Sequence, residues 1–302
     1  MVGPFIASQG DIVEINFDVE NIGTAPGTQD ILLSAEDGTK FTVDTQQDLS
    51  LNEGEVGSGT LQWNIASDQA IDVYDLCIET DNGTDCVTVS LEAPNNGAFL
   101  YEFEQDVTDT WFNYPATNNG AQFVTDSAIG SYALEFERAN GDNVAFSDID
   151  LGTSGFSVAI WVKDTGGSAR QYQFGIVNSA NDNLFLGTDS AGEFFVRGSM
   201  LGLGGEILDS TTTSIRDGNY HLVGFSEDTD ANEVRTYVDG NRDYTFNGSG
   251  GVDKSSVDGR FGDKQNQDGR SHEGLLDHAR AYTEPLTDTE WSNLYSNESA
   301  NL

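Results

Sequence analysis

Basic residues are scarce in this chain of 302 residues, in which 4 lysines and 9 arginines stand against 32 aspartates and 19 glutamates. The formal net charge at pH 7 is −38. Proteins that bind nucleic acid neutralise its phosphates with clustered lysine and arginine, and the sequence contains no basic run of that kind. The sequence therefore argues against a nucleic-acid partner.

Long apolar segments are also missing, because no apolar run approaches the roughly 20 residues that span a bilayer. We therefore expect no insertion into a membrane. The first residues, MVGPF, lack the basic start and apolar core of a secretory signal. For a protein that works outside the cell, this leaves three explanations: a trimmed expressed form, a mature form with an added methionine, or a virion protein released by lysis.

The acidic residues are dispersed along the chain and are not gathered in a tail. Disorder is one interpretation of so high a charge. We disfavour it because 37% of the residues are hydrophobic, and aromatic and β-branched residues recur at strand spacing. A folded chain of this charge repels itself at low salt, whereas molar salt shortens the screening length to ~3 Å. The composition predicts a highly saline environment, and an acidic surface protein of an ordinary environment is the alternative.

The chain has two cysteines, Cys77 and Cys86, which flank a predicted hairpin in LCIETDNGTDCVTV. A turn at Asp81-Asn82 places them directly opposite each other, within reach of a disulfide, whereas a turn at Asn82-Gly83 offsets them by one residue. We favour the disulfide, which is typical of proteins outside the cytoplasm. Two half-buried thiols are the alternative.

Apolar and polar residues alternate through most of the chain, with turn residues at roughly ten-residue spacing, which is typical of β-sandwiches. We interpret residues 1–93 as one domain, residues 94–97 as a polar linker and residues 98–302 as a second domain. The predicted fold class is all-β, with two sandwiches in tandem. Thr287 and Glu290 form a capping box, which predicts a short C-terminal helix. Residues 251–271 are rich in glycine and aspartate, and we expect them to be mostly loop.

The first domain resembles a family of adhesion modules. GDIVEINFDVENIGTAPG, followed by LSLNEGE, is similar to the CARDB-type, Ig-like modules of prokaryotic cell surfaces. The resemblance implies an Ig-like sandwich that acts as a spacer or docking platform. Of the charged residues in this domain 18 are acidic, and Lys40 is the one basic residue.

The second domain resembles the LamG-like, concanavalin A-like lectin and glucanase domains. The segments YALEF, FSVAIWVK, DGNYHLVGFS with VRTYVDG, and GLLDHARAY follow one another in the family's order. The resemblance implies a jelly-roll sandwich that binds a glycan or a protein. It also implies Ca²⁺ held by Glu104 and Asp277, with Asp109 as a candidate third ligand. Oxygen ligands on loops suit Ca²⁺, and the alternative is that all three side chains are solvated acids.

Exposed aromatic side chains at loop tips commonly bind sugars or partner proteins. The candidates here are Trp111, Phe112 and Tyr114, in a segment rich in Asn, Thr and Gly, with Tyr172 as the next candidate. Packing over a sheet edge is the alternative for these residues. We do not expect an enzyme, because the paired carboxylates that sandwich-fold glucanases carry as Glu-x-Asp-x-x-Glu do not occur in the sequence.

These features predict a non-catalytic, surface-displayed adhesion or decoration protein. Its acidity and missing signal favour a structural protein on the virion surface of a virus that infects a halophilic archaeon. The second domain would bind a host glycan or glycoprotein, and the first would dock to other virion proteins. A homo-oligomer is expected, because particles display repeated symmetric copies. The alternatives are an archaeal cell-surface or S-layer-associated carbohydrate-binding protein and a glycoside hydrolase.

Raising the salt concentration from ~0.1 M to ~3 M should steeply increase the thermal unfolding temperature, because salt screens the repulsion among dispersed carboxylates. Thermal unfolding curves across this range measure the effect. A flat response would contradict the halophilic interpretation.

Overall fold

The computed structural model describes residues 5–66, 69, 72–94, 96–153, 155–167, 169–178, 180, 182–201, 207–248, 250, 254–264 and 269–299. The chain divides into two compact units, Met1–Asn95 and Asn96–Leu302. Strands make up nearly all of the regular structure, so the predicted all-β fold class is confirmed. Among the residues described, no helix is long and apolar enough to cross a membrane.

The described residues of the first unit form seven strands in two sheets. These are β1 (Phe5–Ser8), β2 (Ile12–Glu20), β3 (Gly27–Glu36), β4 (Lys40–Leu51), β5 (Val56–Asn64), β6 (Val73–Thr80) and β7 (Gly83–Glu92). One sheet has the order β1-β7-β6-β3-β4, and β2 pairs with β5 in the other. In β2 the side chains of Ile15 and Phe17 are buried while Glu14 and Asn16 are exposed, as their alternation predicts.

The core of the first unit is built from the inward faces of these strands. Ile31 and Leu33 are fully buried, and the rings of Trp63 and Tyr74 meet edge to face with centroids 5.1 Å apart. The hairpin between β6 and β7 pairs residues 80 and 83, so its turn lies at residues 81–82. Cys77 and Cys86 are therefore directly opposite each other, and they form a disulfide bond.

The second unit consists of further strands and a C-terminal helix. Its described elements are β8 (Gly97–Tyr101), β9 (Ala116–Asn119), β10 (Gln122–Val124), β11 (Ala133–Phe136), β12 (Asn143–Ile149), β13 (Phe156–Asp164), β14 (Gln171–Asn178), β15 (Asn183–Thr188), β16 (Glu193–Arg197), β17 (Ile207–Ser214), β18 (His221–Asp228), β19 (Glu233–Val238), β20 (Asn241–Asn247), β21 (Val257–Phe261), β22 (Gly274–Tyr282) and α1 (Asp288–Glu298).

These strands form two sheets around one core. The first sheet has the order β10-β11-β22-β13-β18-β19-β20, with β8 also paired to β22. The second has the order β17-β16-β15-β14-β21-β12-β9. Phe99 of the first sheet contacts Phe146, Phe174 and Phe261 of the second, with ring centroids 5.9, 6.3 and 6.0 Å apart. The unit is thus a sandwich whose core is rich in aromatic side chains.

The segments on which the concanavalin A-like resemblance rests are neighbours in the first sheet. They lie on β11, β22, β13, β18 and β19, which follow one another in the strand order. In sequence they are spread over residues 132–282. The resemblance therefore corresponds to one continuous part of the sandwich.

The prediction that residues 251–271 are mostly loop is wrong for Val257–Phe261, which is strand β21 between β14 and β12. Val257 and Phe261 are buried in the core. Gly259 lies between them because a side chain there would overlap the ring of Phe146. A short strand with a required central glycine resembles a loop in sequence. Residues 251–253 and 265–268 lie outside the described residues.

The predicted C-terminal helix is present as α1, and its capping box is formed. The Thr287 Oγ1 atom accepts from the Glu290 backbone N–H at 3.3 Å, and the Glu290 carboxylate accepts from the Thr287 N–H at 2.7 Å. Trp291 is buried and stacks on Tyr237 with centroids 4.6 Å apart. The helix is therefore packed firmly on the first sheet.

A buried ion pair links the end of this helix to the sheet. Arg280 of β22 is fully buried, and its Nη1 atom lies 2.6 Å from Oε1 of Glu298. The other carboxylate oxygen of Glu298 accepts a hydrogen bond from Trp161 Nε1 at 2.7 Å. Both charges lie in the interior, where an opposite charge must compensate for lost hydration.

Replacing Glu298 with alanine should lower the free energy of unfolding by about 3–5 kcal/mol, because Arg280 keeps its buried charge and loses this carboxylate. Chemical denaturation of the wild type and the variant measures the loss. Arg242→Ala is the control, since the Arg242–Asp288 pair has side chains 40% and 53% exposed and should contribute less than about 1 kcal/mol. Similar small losses in both variants would contradict the structural role of the buried pair.

Candidate functional site

Several strand ends and loops of the second unit meet at one end of the sandwich. The pairing of β13 with β22 places Asp164 beside Gly274, and its pairing with β18 places Val162 beside His221. We call this region the rim and define it as residues 126–132, 163–172, 216–220, 262–264 and 269–277, except where residues lie outside those described. Loops held on strand ends are a common location for binding sites.

Two carboxylates hold the loop of residues 126–132 on the rim. Asp277 of β22 is fully buried, and its Oδ2 atom accepts from the backbone N–H groups of Ala128 and Ile129 at 2.9 and 3.0 Å. Glu104 Oε1 accepts from the N–H groups of Ser131 and Tyr132 at 2.7 and 3.0 Å. The loop thus takes its shape from two side chains that are distant from it in sequence.

The same loop is fixed from its other side by polar contacts. Lys163 Nζ lies 2.7 Å from Asp126 Oδ2 and 5.4 Å from the centroid of the Tyr220 ring. The Tyr220 hydroxyl donates to the backbone carbonyl of Asp126 at 2.6 Å. The loop is therefore bound to three strands of the first sheet, through residues on β13, β22 and the start of β18.

The electrostatics of this loop are dominated by negative charge. Burial raises the pKa of Asp277 to about 8, against the effect of the N–H groups that lower it, and the nearby charge of Glu104 raises it further. Burial also raises the pKa of Tyr220, and the charges of Asp277 and Asp126 add to this. Ionised Asp277 is therefore unfavourable at this position unless positive charge lies close to it.

The three predicted Ca²⁺ ligands do not come together. Glu104 and Asp277 hold the same loop, but Asp109 organises a separate turn, where its carboxylate accepts from the N–H groups of Leu100 at 2.6 Å and Phe112 at 2.8 Å. In the part of the chain that the structure describes, no group of three or more metal-ligating side chains occurs. The prediction of Asp109 as a third ligand of this site is therefore wrong, because its carboxylate sets a different turn from the loop that Glu104 and Asp277 hold.

Glu104 and Asp277 are the two predicted Ca²⁺ ligands that hold the same loop. This ion takes 6–8 oxygen ligands, and Glu104 with Asp277 supplies two carboxylates. A cation would favour ionised Asp277, whose charge burial disfavours. Gly130 has a φ of 66°, and a side chain there would overlap the Glu104 carboxylate, so the loop is shaped around this group. Both carboxylates already accept backbone N–H groups, and Ca²⁺ at this pair stays a prediction.

The four predicted ligand-binding aromatics lie in different environments. Trp111 is 8% exposed and packs on Tyr282 with centroids 5.5 Å apart. Tyr172 is fully buried between Phe185 and Phe195. The prediction of exposed binding aromatics is therefore wrong for Trp111 and Tyr172.

Phe112 and Tyr114 are the other two predicted aromatics. Phe112 is 48% exposed and Tyr114 is half-buried, and their rings are 6.2 Å apart. Both backbone N–H groups point to Asp109, which sets the turn that presents them. They stay candidates for ligand contact.

A buried polar network that the sequence did not indicate lies at the centre of the rim. Asp164 is almost fully buried and binds the Arg216 guanidinium with Nε–Oδ1 and Nη2–Oδ2 distances of 3.2 and 3.3 Å. It also accepts from the Gln171 amide and the Gly166 N–H. Arg138 Nη2 donates to Gln171 Oε1 at 2.7 Å, and Arg138 Nε donates to the carbonyl of Ser271 at 2.9 Å.

No local sequence signal could have revealed this network, because its members are separated by up to 133 residues. The members of the network share only charged or amide side chains, and such residues are common in the chain. The network joins the ends of β11, β13, β14 and β22 with the segment before β18. It fixes the relative positions of the rim loops.

The histidine of the DGNYH segment has a structural position. Its Nδ1 atom lies 2.8 Å from Asp239 Oδ2, and its Nε2 atom lies 3.2 Å from Asp217 Oδ1. Burial lowers the pKa of His221, but the hydrogen bonds and charges of Asp239 and Asp217 outweigh burial and raise it. His221 therefore joins the start of β18 to the turn after β19.

Comparison with protein families identifies the second unit. Residues 138–290, about half of the chain, match the model of the concanavalin A-like lectin/glucanases superfamily. The chain belongs to this superfamily. A comparison with the curated proteins found no match.

Solved structures are similar to the second unit in fold. Domain 4 of AbnA, a GH43 extracellular arabinanase from Geobacillus stearothermophilus, in complex with arabinotriose, is 20% identical with a TM-score of 0.52, over 66% of this chain and 98% of that chain. The binding domain of Paraclostridial Mosquitocidal Protein 1 is 13% identical with a TM-score of 0.52, over 67% and 52%. The binding domain of botulinum neurotoxin serotype D/C VPI 5993 is 10% identical with a TM-score of 0.55, over 68% and 53%.

These likenesses establish the fold of the second unit. The chain spans about half the length of the two toxin binding domains it matches. The superfamily assignment confirms the predicted concanavalin A-like domain. The CARDB-type assignment of the first unit stays a prediction.

The free energy of unfolding should fall between about pH 4 and pH 8 through the ionisation of Asp277. Its folded pKa is about 8 and its ordinary value is 3.8, so the folded state keeps a proton that the unfolded chain loses. The stabilisation is complete below pH 3.8 and disappears as the pH approaches 8. Chemical denaturation across this range, with a chelator present, measures the slope.

Asp277→Asn should flatten this slope, and Asp126→Asn is the control because the Asp126 side chain is 55% exposed. The two variants are compared by the slope of the free energy of unfolding against pH. The Asp277→Asn variant also changes the hydrogen bonds to Ala128 and Ile129, but this change affects stability at every pH. An unchanged slope in Asp277→Asn would show that another group causes the fall in stability.

Proposed function

We propose that the protein is a non-catalytic, surface-displayed binding protein whose second unit binds a host glycan or glycoprotein at the rim. The observation that carries this proposal is the fixing of the rim loops by buried polar groups. Asp277 and Glu104 hold the loop of residues 126–132, and Asp164 holds the segments around Gly166 and Arg216. Loops fixed before binding lose less conformational entropy when a ligand arrives.

The superfamily and the similar structures support a binding role. The arabinanase domain is named in complex with arabinotriose, and two of the other similar structures are named as binding domains. Phe112, which is exposed, and Tyr114, which is half-buried, lie outside the rim on the turn that Asp109 sets, and their rings offer a second surface on which a sugar could stack. Binding at the tips of sandwich loops is consistent with the position of the rim.

The hydrogen bonds of the rim acids favour a role without catalysis. Asp277 and Glu104 each accept backbone N–H donors, which suits holding a loop and not transferring a proton to a glycosidic oxygen. The glycoside hydrolase alternative requires that the protein hydrolyses a glycan and that replacing one carboxylate abolishes this hydrolysis.

The proposal includes a role for Ca²⁺ at the pair Glu104 and Asp277. Bound there, the ion would supply positive charge that favours ionised Asp277 and stabilises the loop of residues 126–132. The two carboxylates would hold the ion, and the loop would present the ligand-binding surface.

We further propose that the protein lies on the virion surface of a virus of a halophilic archaeon. There it would form a homo-oligomer that docks through its first unit to other virion proteins. The charge of −38 and the acidic first domain support a saline environment. The alternative is a cell-surface or S-layer-associated carbohydrate-binding protein. Detection of the protein in purified virus particles would support the virion location, and detection in the host envelope would support the cell-surface location.

The binding proposal is tested by applying the full chain to an immobilised panel of glycans and host envelope glycoproteins, with Ca²⁺ or with a chelator. We expect selective binding that is weakened about tenfold or more by the chelator and by Asp277→Ala, since both loosen the same loop. Arg242→Ala is the control, because it removes an exposed charge from β20. Binding to no glycan and no glycoprotein in either condition would contradict the proposed function.

A further inference from the structure

We propose that the first unit binds an extended segment of a partner protein, in which lysine or arginine residues alternate with apolar ones. The segment would add as a further antiparallel strand to the free edge of β2, the side of Ile12–Glu20 that faces away from β5. This inference rests on the docking role proposed for the first unit and names the chemistry of the partner. It does not depend on ligand binding at the rim.

The first argument is that β2 is an edge strand. Among the described strands it pairs with β5 alone, over all nine residues and without a register shift. The other side of β5 lies beside β4, where the Gln62 N–H donates to Asp44 Oδ2 at 2.8 Å. The two-stranded sheet is therefore open on the side of β2.

The direction of the backbone groups of β2 follows from its pairing. Residues that face each other in an antiparallel pair orient their N–H and C=O groups alike, either toward the partner strand or away from it. The Asn21 N–H donates to the Glu55 carbonyl, so the odd-numbered residues of β2 face β5. Gln62, which is opposite Glu14, donates away from β2 to Asp44. The N–H and C=O groups at the free edge are therefore those of residues 12, 14, 16, 18 and 20.

The free edge lacks several features that keep edge strands from pairing. It contains no proline and no bulge, and its inward side chains carry no charge. Ile15 and Phe17 anchor the strand in the core, and Val13 and Val19 beside them are half-buried. An added strand would cover these two valines with its own inward side chains, which should be apolar.

The solvent face of β2 carries negative charge. Glu14, Asp18 and Glu20 are exposed, and they alternate with the inward residues. The Glu14 carboxylate accepts from Gln62 Nε2 at 2.8 Å. The Asp18 carboxylate accepts from Ser58 Oγ at 2.6 Å. Both donors are neutral, so these contacts leave the charge of the carboxylates uncompensated.

No basic side chain of the first unit offsets this charge, because Lys40 is its one basic residue and pairs with Glu79. A residue directly opposite in an added strand lies on the same face of the sheet, and opposite charges at such positions stabilise the pair. The partner segment should therefore carry lysine or arginine at alternate positions.

A second copy of this chain fits the free edge less well. In the antiparallel register that overlaps all nine residues of two β2 strands, each Glu14 would face the Asp18 of the other copy. Like charges directly opposite each other destabilise a strand pair. Charge complementarity therefore favours a basic segment of another protein.

The experiment measures the affinity of the full chain for synthetic peptides by fluorescence anisotropy, in a salt concentration at which the chain is folded. The peptide KVKVTVKVT matches β2 in length and places lysines opposite Glu20, Asp18 and Glu14. One control peptide, EVEVTVEVT, reverses the charges. The other control is KVKVTVKVT with N-methylated amides at its odd positions, which keeps the charge and removes the donors that face β2.

We expect KVKVTVKVT to bind at least about tenfold more tightly than either control, because it alone combines backbone hydrogen bonds with opposite charge. Amide hydrogen exchange, measured by NMR, locates the contact. The N–H groups of residues 14, 16 and 18 should become protected when the peptide binds, and those of residues 13, 15 and 17 already face β5.

The double variant Glu14→Gln, Asp18→Asn should weaken the binding of KVKVTVKVT about fivefold or more, since it removes two of the three paired charges. The matched control is Glu53→Gln, Asp85→Asn, which removes the same charge from exposed positions away from β2 and should change the affinity less than about twofold. Asn16→Pro should preserve the fold and block binding, because the N–H that it removes lies at the free edge.

Each other outcome overturns the inference in a distinct way. Equal binding of the N-methylated peptide would show attraction by charge without strand addition, and tighter binding of EVEVTVEVT would reject a basic partner. Equal losses in the test and control variants would show that only net charge matters. Self-association of the chain that Asn16→Pro abolishes would assign the free edge to a second copy. Binding to no peptide would overturn the inference alone, since the panel of glycans and glycoproteins tests the rim separately.

Discussion

A carboxylate is strongly unfavourable in a protein interior unless hydrogen-bond donors or cations surround it, and the second unit is organised around several such groups. Asp109 sets a turn, Asp164 gathers the segments of the rim, Asp277 holds a loop and Glu298 fixes the helix. Each of these carboxylates joins separate parts of the chain, because the hydrogen-bond donors that it needs lie on those parts. A chain rich in acids thus uses a few of them as internal connectors.

These connectors explain how the sandwich supports a binding site. The core of aromatic side chains fixes the two sheets, but it does not determine the shapes of the loops at their ends. The buried carboxylates determine the shapes of the loops, because a loop can donate hydrogen bonds to them in only a few conformations. The rim is consequently a surface with a defined shape, which is the property that selective recognition requires.

Acidic residues dominate the charge of the molecule. Most of the acidic residues are dispersed, which suits solubility in concentrated salt and gives no information about a specific partner. Near the start of β14 the fold also brings together cations that are distant in sequence, since Arg138 donates to Gln171 and Lys264 lies over the ring of Tyr172.

The sequence by itself determined the all-β fold, the hairpins, the capped helix and the superfamily, because strand alternation, turn residues and capping are local properties that a few neighbouring residues encode. Only the tertiary structure decided that Trp111 and Tyr172 are buried, that Asp109 is separated from Glu104 and Asp277, and that distant cations converge. It also revealed β21, whose glycine is required by the ring of Phe146. These outcomes depend on packing between residues far apart in the chain, and no local pattern records which distant side chain will lie opposite.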